Sequence, residues 1–243
     1  MANEEIEVGN GFVIWLDLLG TNELSSADPI AFLRKWKGLN KIIRGTSLRA
    51  NTNELYDGSD EVNVRVHAFA DTFIISISFK DDAESIANLP DLLWHVGTIL
   101  LNALKEGSFF RGCITYGLFY RSIVDQVIVG LPVTQAYKYH SMIEWVGISA
   151  APSAHVLINN YFEKSRDHNP YRFHLKEYDI PKKELPDYKG LALDWISNRN
   201  KNDIENIRTN FNDRISKTDC MDIAFKLRNT INFIDELTFR NKS

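Results

Sequence analysis

Two aspartates stand where a carboxylate is expensive. Asp17 lies in FVIWLDLLGTN (residues 12–22) and Asp71 in VRVHAFADTFIISIS (residues 64–78), each the single acid of a largely apolar run. An ionised carboxylate taken out of water is costly unless something positive meets it. Two carboxylates brought together from neighbouring strands are a set of hard oxygen donors suited to Mg²⁺ or Mn²⁺. Arg111, in FFRGCITYG, admits two roles: a strand residue paired with a nearby carboxylate, or a member of a site. His67 is either a satisfied strand histidine or a group that reads a ligand edge. Thr134 and Lys138 are four apart and so share one helix face, which on the plain reading of YKYHS is a solvated polar surface.

Something must position these residues, and composition bounds what. A chain of 243 residues, 44% apolar and 12% aromatic, can bury a full core and suits one α/β or α+β domain with additions. A net charge of −4 without a long basic run argues against a nucleic-acid partner held through phosphate contacts. The acidic start MANEEIEVGNG carries no apolar leader, and no apolar stretch approaches the ~20 residues that span a bilayer, so a cytoplasmic chain with no membrane segment is expected. Cys113 and Cys220 have no CxxC spacing; Cys113, in an apolar run, is expected to be a buried thiol without a disulfide.

The pattern along the chain predicts a strand at Phe12–Leu18 closed by Gly20, and a helix over Ile30–Ile43 with Asp28 as cap and Pro29 in its first position. A polar loop is expected over residues 47–61, then a hairpin over Val62–Phe79 with Ala70-Asp71 near its tip. A helical region follows at Ala83–Lys105, divided near Pro90. Strands at Phe109–Tyr120 and Ile123–Val129 and a helix over Pro132–Trp145 complete the main unit. Gly112 and Gly117 are expected to allow close backbone approach or bulging. The order predicts an α+β fold, a ferredoxin-like β-α-β-β-α-β palm with one added unit and a mostly antiparallel sheet flanked by helices. Residues 1–170 read as this domain. Residues 171–243 read as an extension packed on it: a strand at Tyr171–Tyr178, a turn region at Pro181–Gly190, and helices at Asp203–Ile215 and Asp219–Phe239.

Four segments in this order carry a resemblance: Asp-Leu-Leu-Gly (17–20), Phe-Ala-Asp-Thr (69–72), RGCITYG (111–117) and VGLPVTQAYKYHSMIEWVGIS (129–149). They resemble the successive motifs of class III nucleotide cyclases, which run Asp-Ile-x-Gly, Gly-Asp, Arg-x-Gly-Ile-x-x-Gly and Gly-x-x-Val-Asn-x-x-x-Arg. The likeness spans about residues 11–160. The Phe-Ala-Asp-Thr turn, the short chain without a sensor domain and the helical appendix are most similar to the bacterial Pycsar pyrimidine cyclases of anti-phage defence.

The resemblance implies conversion of UTP, or alternatively CTP, to its 3′,5′-cyclic monophosphate and pyrophosphate. It implies two Mg²⁺ or Mn²⁺ ions per active site, held by Asp17, Asp71 and the Leu18 carbonyl, with backbone amides of Leu18, Leu19, Gly20 and Thr21 meeting phosphate oxygens. It implies a homodimer with shared sites, in which Thr134 and Lys138 stand where the family has Asn and Arg and serve the partner's nucleotide, with Arg111 as a further catalytic candidate. His67 and Phe69, two apart on one strand face, would meet the base; the family's base-reading aspartate position falls near Val127, which cannot accept from an adenine amino group. Two other classes stay open: a non-catalytic nucleotide binder, and a different metal-dependent phosphotransfer enzyme or nuclease on the same palm. The Gly-Gly-Asp/Glu-Glu-Phe signature of diguanylate cyclases is absent.

Overall fold

The computed structural model describes residues 6–51, 63–122, 124–164, 174–183, 188–196 and 200–240. The predicted loop lies outside them from residue 52 onward, as do residue 123, residues 171–173 of the expected strand, residues 184–187 of the expected turn, and the 170/171 boundary.

β1 (Ile6–Leu18) is the spine of the molecule. Its residues alternate: Phe12, Ile14, Leu16 and Leu18 are buried on one face, and Trp15 and Asp17 lie on the other. β3 (Thr72–Phe79) pairs antiparallel on one side and β4 (Phe110–Ser122) on the other, and β2 (Asn63–Phe69) closes the hairpin with β3. The order β2-β3-β1-β4 is that of the β-α-β-β-α-β palm, with α2 (Pro29–Asn51) between β1 and β2 and α4 (Leu89–Lys105) between β3 and β4. The predicted α+β class, a mostly antiparallel sheet flanked by helices, is therefore observed.

α4 buries Leu92, Leu93, Val96, Ile99, Leu100, Ala103 and Leu104, the 3–4 spacing that turns one stripe to the sheet. Burying a leucine of this kind contributes roughly 1.5–3 kcal/mol. The division foreseen near Pro90 falls at Asn88, between α3 (Asp82–Ala87) and α4, and Pro90 occupies the first turn of α4 where a missing N–H costs little. Asp28 caps α2 as expected, its Oδ1 accepting the Ala31 N–H at 2.9 Å. α2 runs on to Asn51, so residues 47–51 are helix and not loop.

Several elements differ from the sequence expectation. α1 (Thr21–Ala27) follows β1 directly. The strand placed at Ile123–Val129 is β5, Val127–Gly130, folded back on β4. α5 (Leu131–Met142) stops three residues before Trp145, and β6 (Gly147–Ala150) then pairs parallel to β4, followed by α6 (Pro152–Lys164). Past residue 170 the described residues include the strands β7 (Leu175–Ile180) and β8 (Tyr188–Leu193), which continue the same sheet in the order β4-β6-β8-β7.

α7 (Lys201–Lys217) and α8 (Met221–Arg240) cover that end. Thr230 of α8 is fully buried, and its hydroxyl accepts the Val146 N–H at 2.7 Å. Phe233 meets the Trp145 ring edge-on at 4.7 Å. The extension is thus tied to the sheet by specific polar bonds and ring contacts. No helix of the described residues is long and apolar enough to cross a membrane. Cys113 and Cys220 are free thiols. Cys113 is fully buried as foreseen; burial pushes its pKa up, and its Sγ donates to the Ala136 carbonyl at 3.3 Å.

Candidate active site

Register decides what meets at the end of β1. Asp17 stands opposite Arg111 on β4 and opposite Thr72 on β3. The Arg111 Nε donates to Asp17 Oδ2 at 2.8 Å, with both side chains about five-sixths covered (16% and 15% exposed). Of the two roles weighed for Arg111, the pairing with a nearby carboxylate is the one observed, and that carboxylate is Asp17. Gly112, next along, lies so close to β1 that a Cβ there would stand 2.2 Å from the Trp15 carbonyl oxygen, so only glycine admits this strand spacing.

Asp71 occupies the tight turn between β2 and β3, after Ala70 in the left-handed region (φ 51°). Its backbone carbonyl accepts the Leu18 N–H at 3.0 Å, so the β2–β3 turn is fastened to the residue that follows Asp17. The Thr21 hydroxyl donates to Asp71 Oδ2 at 2.6 Å. Each aspartate thus has one oxygen held and one, Oδ1, without a hydrogen-bond partner among the described residues.

Such a donor set fits a hard divalent cation. No group of three or more His, Cys, Asp or Glu side chains gathers among the described residues. Mg²⁺ commonly takes only one or two carboxylates and completes its shell with water and substrate phosphate, so two aspartates with free oxygens suffice.

The loop after Leu18 is more committed than its sequence suggests. The Leu18 amide is used by Asp71 and the Leu19 amide donates to the Phe109 carbonyl at 2.8 Å, so of the four amides expected to meet phosphate, two already have protein partners. Gly20 adopts φ +74°, which lets the chain turn into α1 with Thr21 aimed back at Asp71.

The helix half lies apart. Thr134 and Lys138 are exposed on α5, one turn apart as predicted. The Thr134 hydroxyl donates to the Gly130 carbonyl at 3.3 Å, and the Lys138 ammonium makes no ion pair among the described residues. Neither touches Asp17 or Asp71 within this chain. The residue of α5 that does approach Asp17 is His140, which sequence reasoning passed over. It is buried, stacks on Trp15 at 5.0 Å and shares its Nδ1 with the Ala136 carbonyl at 3.2 Å. Burial pulls its pKa below the ordinary 6.5; Asp17 opposes this and Arg111 adds to it. The inward stripe Pro132, Ala136, Tyr139, His140 was the available signal.

His67 and Phe69 share a strand face as expected but differ in access. Phe69 is 82% exposed, whereas His67 is buried under the β4–β5 turn, its Nδ1 3.1 Å from the Gln126 carbonyl. Burial lowers the His67 pKa, with the Gln126 bond opposing and Arg121, Arg44 and Arg65 assisting, so the ring is neutral at pH 7. A carbonyl only accepts, so Nδ1 carries the proton and Nε2 is an acceptor; that Nε2 is buried without a hydrogen-bond partner among the described residues. Val127 is half-exposed on β5.

No family model and no curated protein matches this chain. Among solved structures, the catalytic core of a rhodopsin-guanylyl cyclase with converted specificity, in complex with ATPalphaS, is similar over 78% of this chain and 97% of that one, at 10% identity and a TM-score of 0.48. An adenylate cyclase from Trypanosoma brucei in its monomeric state is similar over 82% and 95%, at 13% identity and a TM-score of 0.48. A class III adenylyl cyclase-like ATP-binding protein from Pseudomonas aeruginosa is similar over 63% of this chain and 35% of that one, at 14% identity and a TM-score of 0.49. At such identities and scores the chemistry rests on the residues themselves.

Proposed function

We propose that this chain is a pyrimidine nucleotide cyclase, converting UTP to 3′,5′-cyclic UMP and pyrophosphate, with CTP as the alternative substrate. The observation that supports the reading is the fastening of the Asp71 backbone to Leu18, the residue after Asp17, with one oxygen of each carboxylate lacking a hydrogen-bond partner among the described residues. In the reaction the ribose 3′-oxygen loses its proton and bonds to the α-phosphorus, the bond from that phosphorus to the bridging oxygen breaks, and pyrophosphate leaves. Asp17 and Asp71, with the Leu18 carbonyl, would hold Mg²⁺ or Mn²⁺, which when bound acidifies the hydroxyl and offsets charge on the triphosphate.

The other residues have separable tasks. Arg111 fixes the orientation of the Asp17 carboxylate, and Thr21 does the same for Asp71. Gly20 and Thr21 would present their backbone amides to phosphate. Lys138 and Thr134, exposed on α5, face outward as a head-to-tail homodimer would need if they served the nucleotide of a second chain, Lys138 lending charge near the α-phosphate. The exposed Phe69 ring offers a stacking surface, and His67 shapes the strand beneath it. The pyrimidine choice, the cytoplasmic setting and a role as second-messenger source in bacterial antiviral defence are supported by the resemblance to the Pycsar group.

One observation favours a second reading. Thr134 and Lys138 replace the family's Asn and Arg, as they would in a non-catalytic nucleotide binder. Asp17→Asn and Asp71→Asn separate the two: each should lower cyclisation by at least ~10²-fold while circular dichroism and elution volume stay unchanged. Near-normal turnover in either variant contradicts the cyclase reading, and nucleotide binding without turnover in the unmodified chain replaces it with the binder.

A further inference from the structure

The C-terminal helix grips the far end of α5. Past Met142 the chain turns at Ile143, whose N–H closes on the His140 carbonyl, and the next residue, Glu144, is buried with its carboxylate towards α8. Lys226 of α8 is buried too, its Nζ 3.8 Å from Glu144 Oε1 and bonded to Asp222 one turn earlier. Lys183, from the segment after β7, reaches the same Oε1 at 3.6 Å.

The backbone is fixed at the same place. Asn229 Nδ2 donates to the Glu144 carbonyl at 2.6 Å, the Glu144 N–H donates to the Pro181 carbonyl at 2.9 Å, and the Lys183 N–H donates to the Met142 carbonyl at 2.8 Å. Lys182 places its ammonium 5.0 Å from the centre of the Tyr139 ring on α5. On its other side α5 holds β1: His140 stacks on Trp15, two residues before Asp17, and Tyr137 meets the same indole edge-on at 5.7 Å. α5 is thus clamped between the strand that carries Asp17 and the C-terminal extension.

A buried lysine–glutamate pair is a poor source of stability. Burial raises the Glu144 pKa; Lys226 opposes this, Asp222 adds to it, and Lys183 and Arg111 oppose it without reversing it, so the carboxylate is less favoured in its charged form here than in water. Apolar side chains of similar size would fill such a space at equal or lower cost. What the charges add is direction. Glu144 meets two ammonium groups from two separate elements, and a connection between α5 and β6 that satisfies both is narrowly placed.

We infer that Glu144 and Lys226 are positioning residues, through which the C-terminal extension sets the placement of α5 and with it the Lys138 ammonium. The inference rests on the cyclase reading, in which Lys138 lends charge near the α-phosphate. Glu144 and Lys226 act through the helix and not on the substrate.

The test compares the full chain with Glu144→Met/Lys226→Met, which replaces the pair by apolar groups of similar length. Three quantities are measured: turnover of UTP with Mn²⁺, thermal melting, and deuterium exchange of residues 131–142 read by mass. The melting temperature should equal or exceed that of the unmodified chain, while kcat falls roughly 10–100-fold, KM and Mn²⁺ affinity stay unchanged, and exchange in α5 becomes faster. Asn229→Ala removes the bond to the Glu144 carbonyl and no charge; it carries the same expectation for kcat and exchange, and it stands in if the double variant fails to fold. A folded variant with kcat and α5 exchange both unchanged overturns the inference, and so does a kcat that falls only in step with the melting temperature. Failure of the cyclase reading looks different: the unmodified chain makes no cyclic product from any triphosphate. Exchange in α5 then decides the placement alone, faster in the folded variants upholding it and equal overturning it.

Discussion

Arg111 and Asp17 face each other across β4 and β1, the guanidinium Nε 2.8 Å from Oδ2. The carboxylate that ends an apolar strand is therefore never left without a positive partner, and it presents its second oxygen in a fixed direction. The ion pair offsets the cost of burying Asp17 and leaves Oδ1 without a hydrogen-bond partner among the described residues.

That pair should be measurable as a coupling. Arg111→Gln and Asp17→Asn are each expected to destabilise the fold by about 1–3 kcal/mol, and the double variant by clearly less than the sum. Urea unfolding of the four proteins checks this; strict additivity would mean the pair contributes nothing.

Thr21 offers a sharper probe of Asp71. Removing its hydroxyl as Thr21→Val leaves Asp71 Oδ2 without its 2.6 Å bond and should weaken divalent-ion affinity by roughly 10–100-fold, the usual effect of losing a group that orients a ligand. Thr21→Ser should restore most of it. Mn²⁺ titration followed by electron paramagnetic resonance reads the effect directly, and an unchanged affinity in Thr21→Val would show that Asp71 orients itself.

How legible this was in the sequence depends on the kind of signal. β1, the β2–β3 hairpin and α4 announce themselves by period-2 and 3–4 apolar spacing, and Gly20 by its place after an apolar run. β6 does not: its four residues are buried on both faces as a strand parallel to β4, so GISA shows no alternation. α1 is short and polar, and its stability comes from tertiary context. Asp17 and Asp71 stand out as isolated acids. Their partners are invisible in sequence because the register joining Asp17 to a residue 94 positions away, and the turn that aims Thr21 at Asp71, exist only once the sheet is assembled.

Four histidines, His67, His95, His140 and His155, have pKa values lowered chiefly by burial from the ordinary 6.5. They are neutral in the native chain near pH 7, whereas the unfolded chain gains protons as pH falls through about 6.5. Stability is thus fully present above that value and is lost as pH drops towards the lowered native values, by up to about 1.4 kcal/mol per pH unit for each of the buried His67, His95 and His140 and by less for the partly exposed His155, which solvent screens. Melting temperatures between pH 8 and pH 5 should fall, and His140→Gln should flatten the slope. A slope identical to that of the unmodified chain would mean that His140 binds its proton equally well folded and unfolded.

Shared sites predict complementation. Asp71→Asn and Lys138→Ala chains, each inactive alone, should regain activity after subunit exchange, because one site of each mixed dimer inherits both intact halves. Persistent inactivity after exchange has been shown by mass would remove Lys138 from the site or the sharing itself.

The central claim is tested most directly by incubating the purified chain with Mn²⁺ and each of the four ribonucleoside triphosphates and weighing the products. The account predicts a cyclic monophosphate with pyrophosphate in equal amount, formed from UTP in preference to the purines, because a site matched to a pyrimidine edge leaves polar groups unpaired against a larger ring, a penalty of up to ~10⁴-fold. A faster reaction with CTP would move the assignment to the cytidylate enzyme. Equal rates with ATP and UTP, or linear monophosphates in place of cyclic ones, would contradict it.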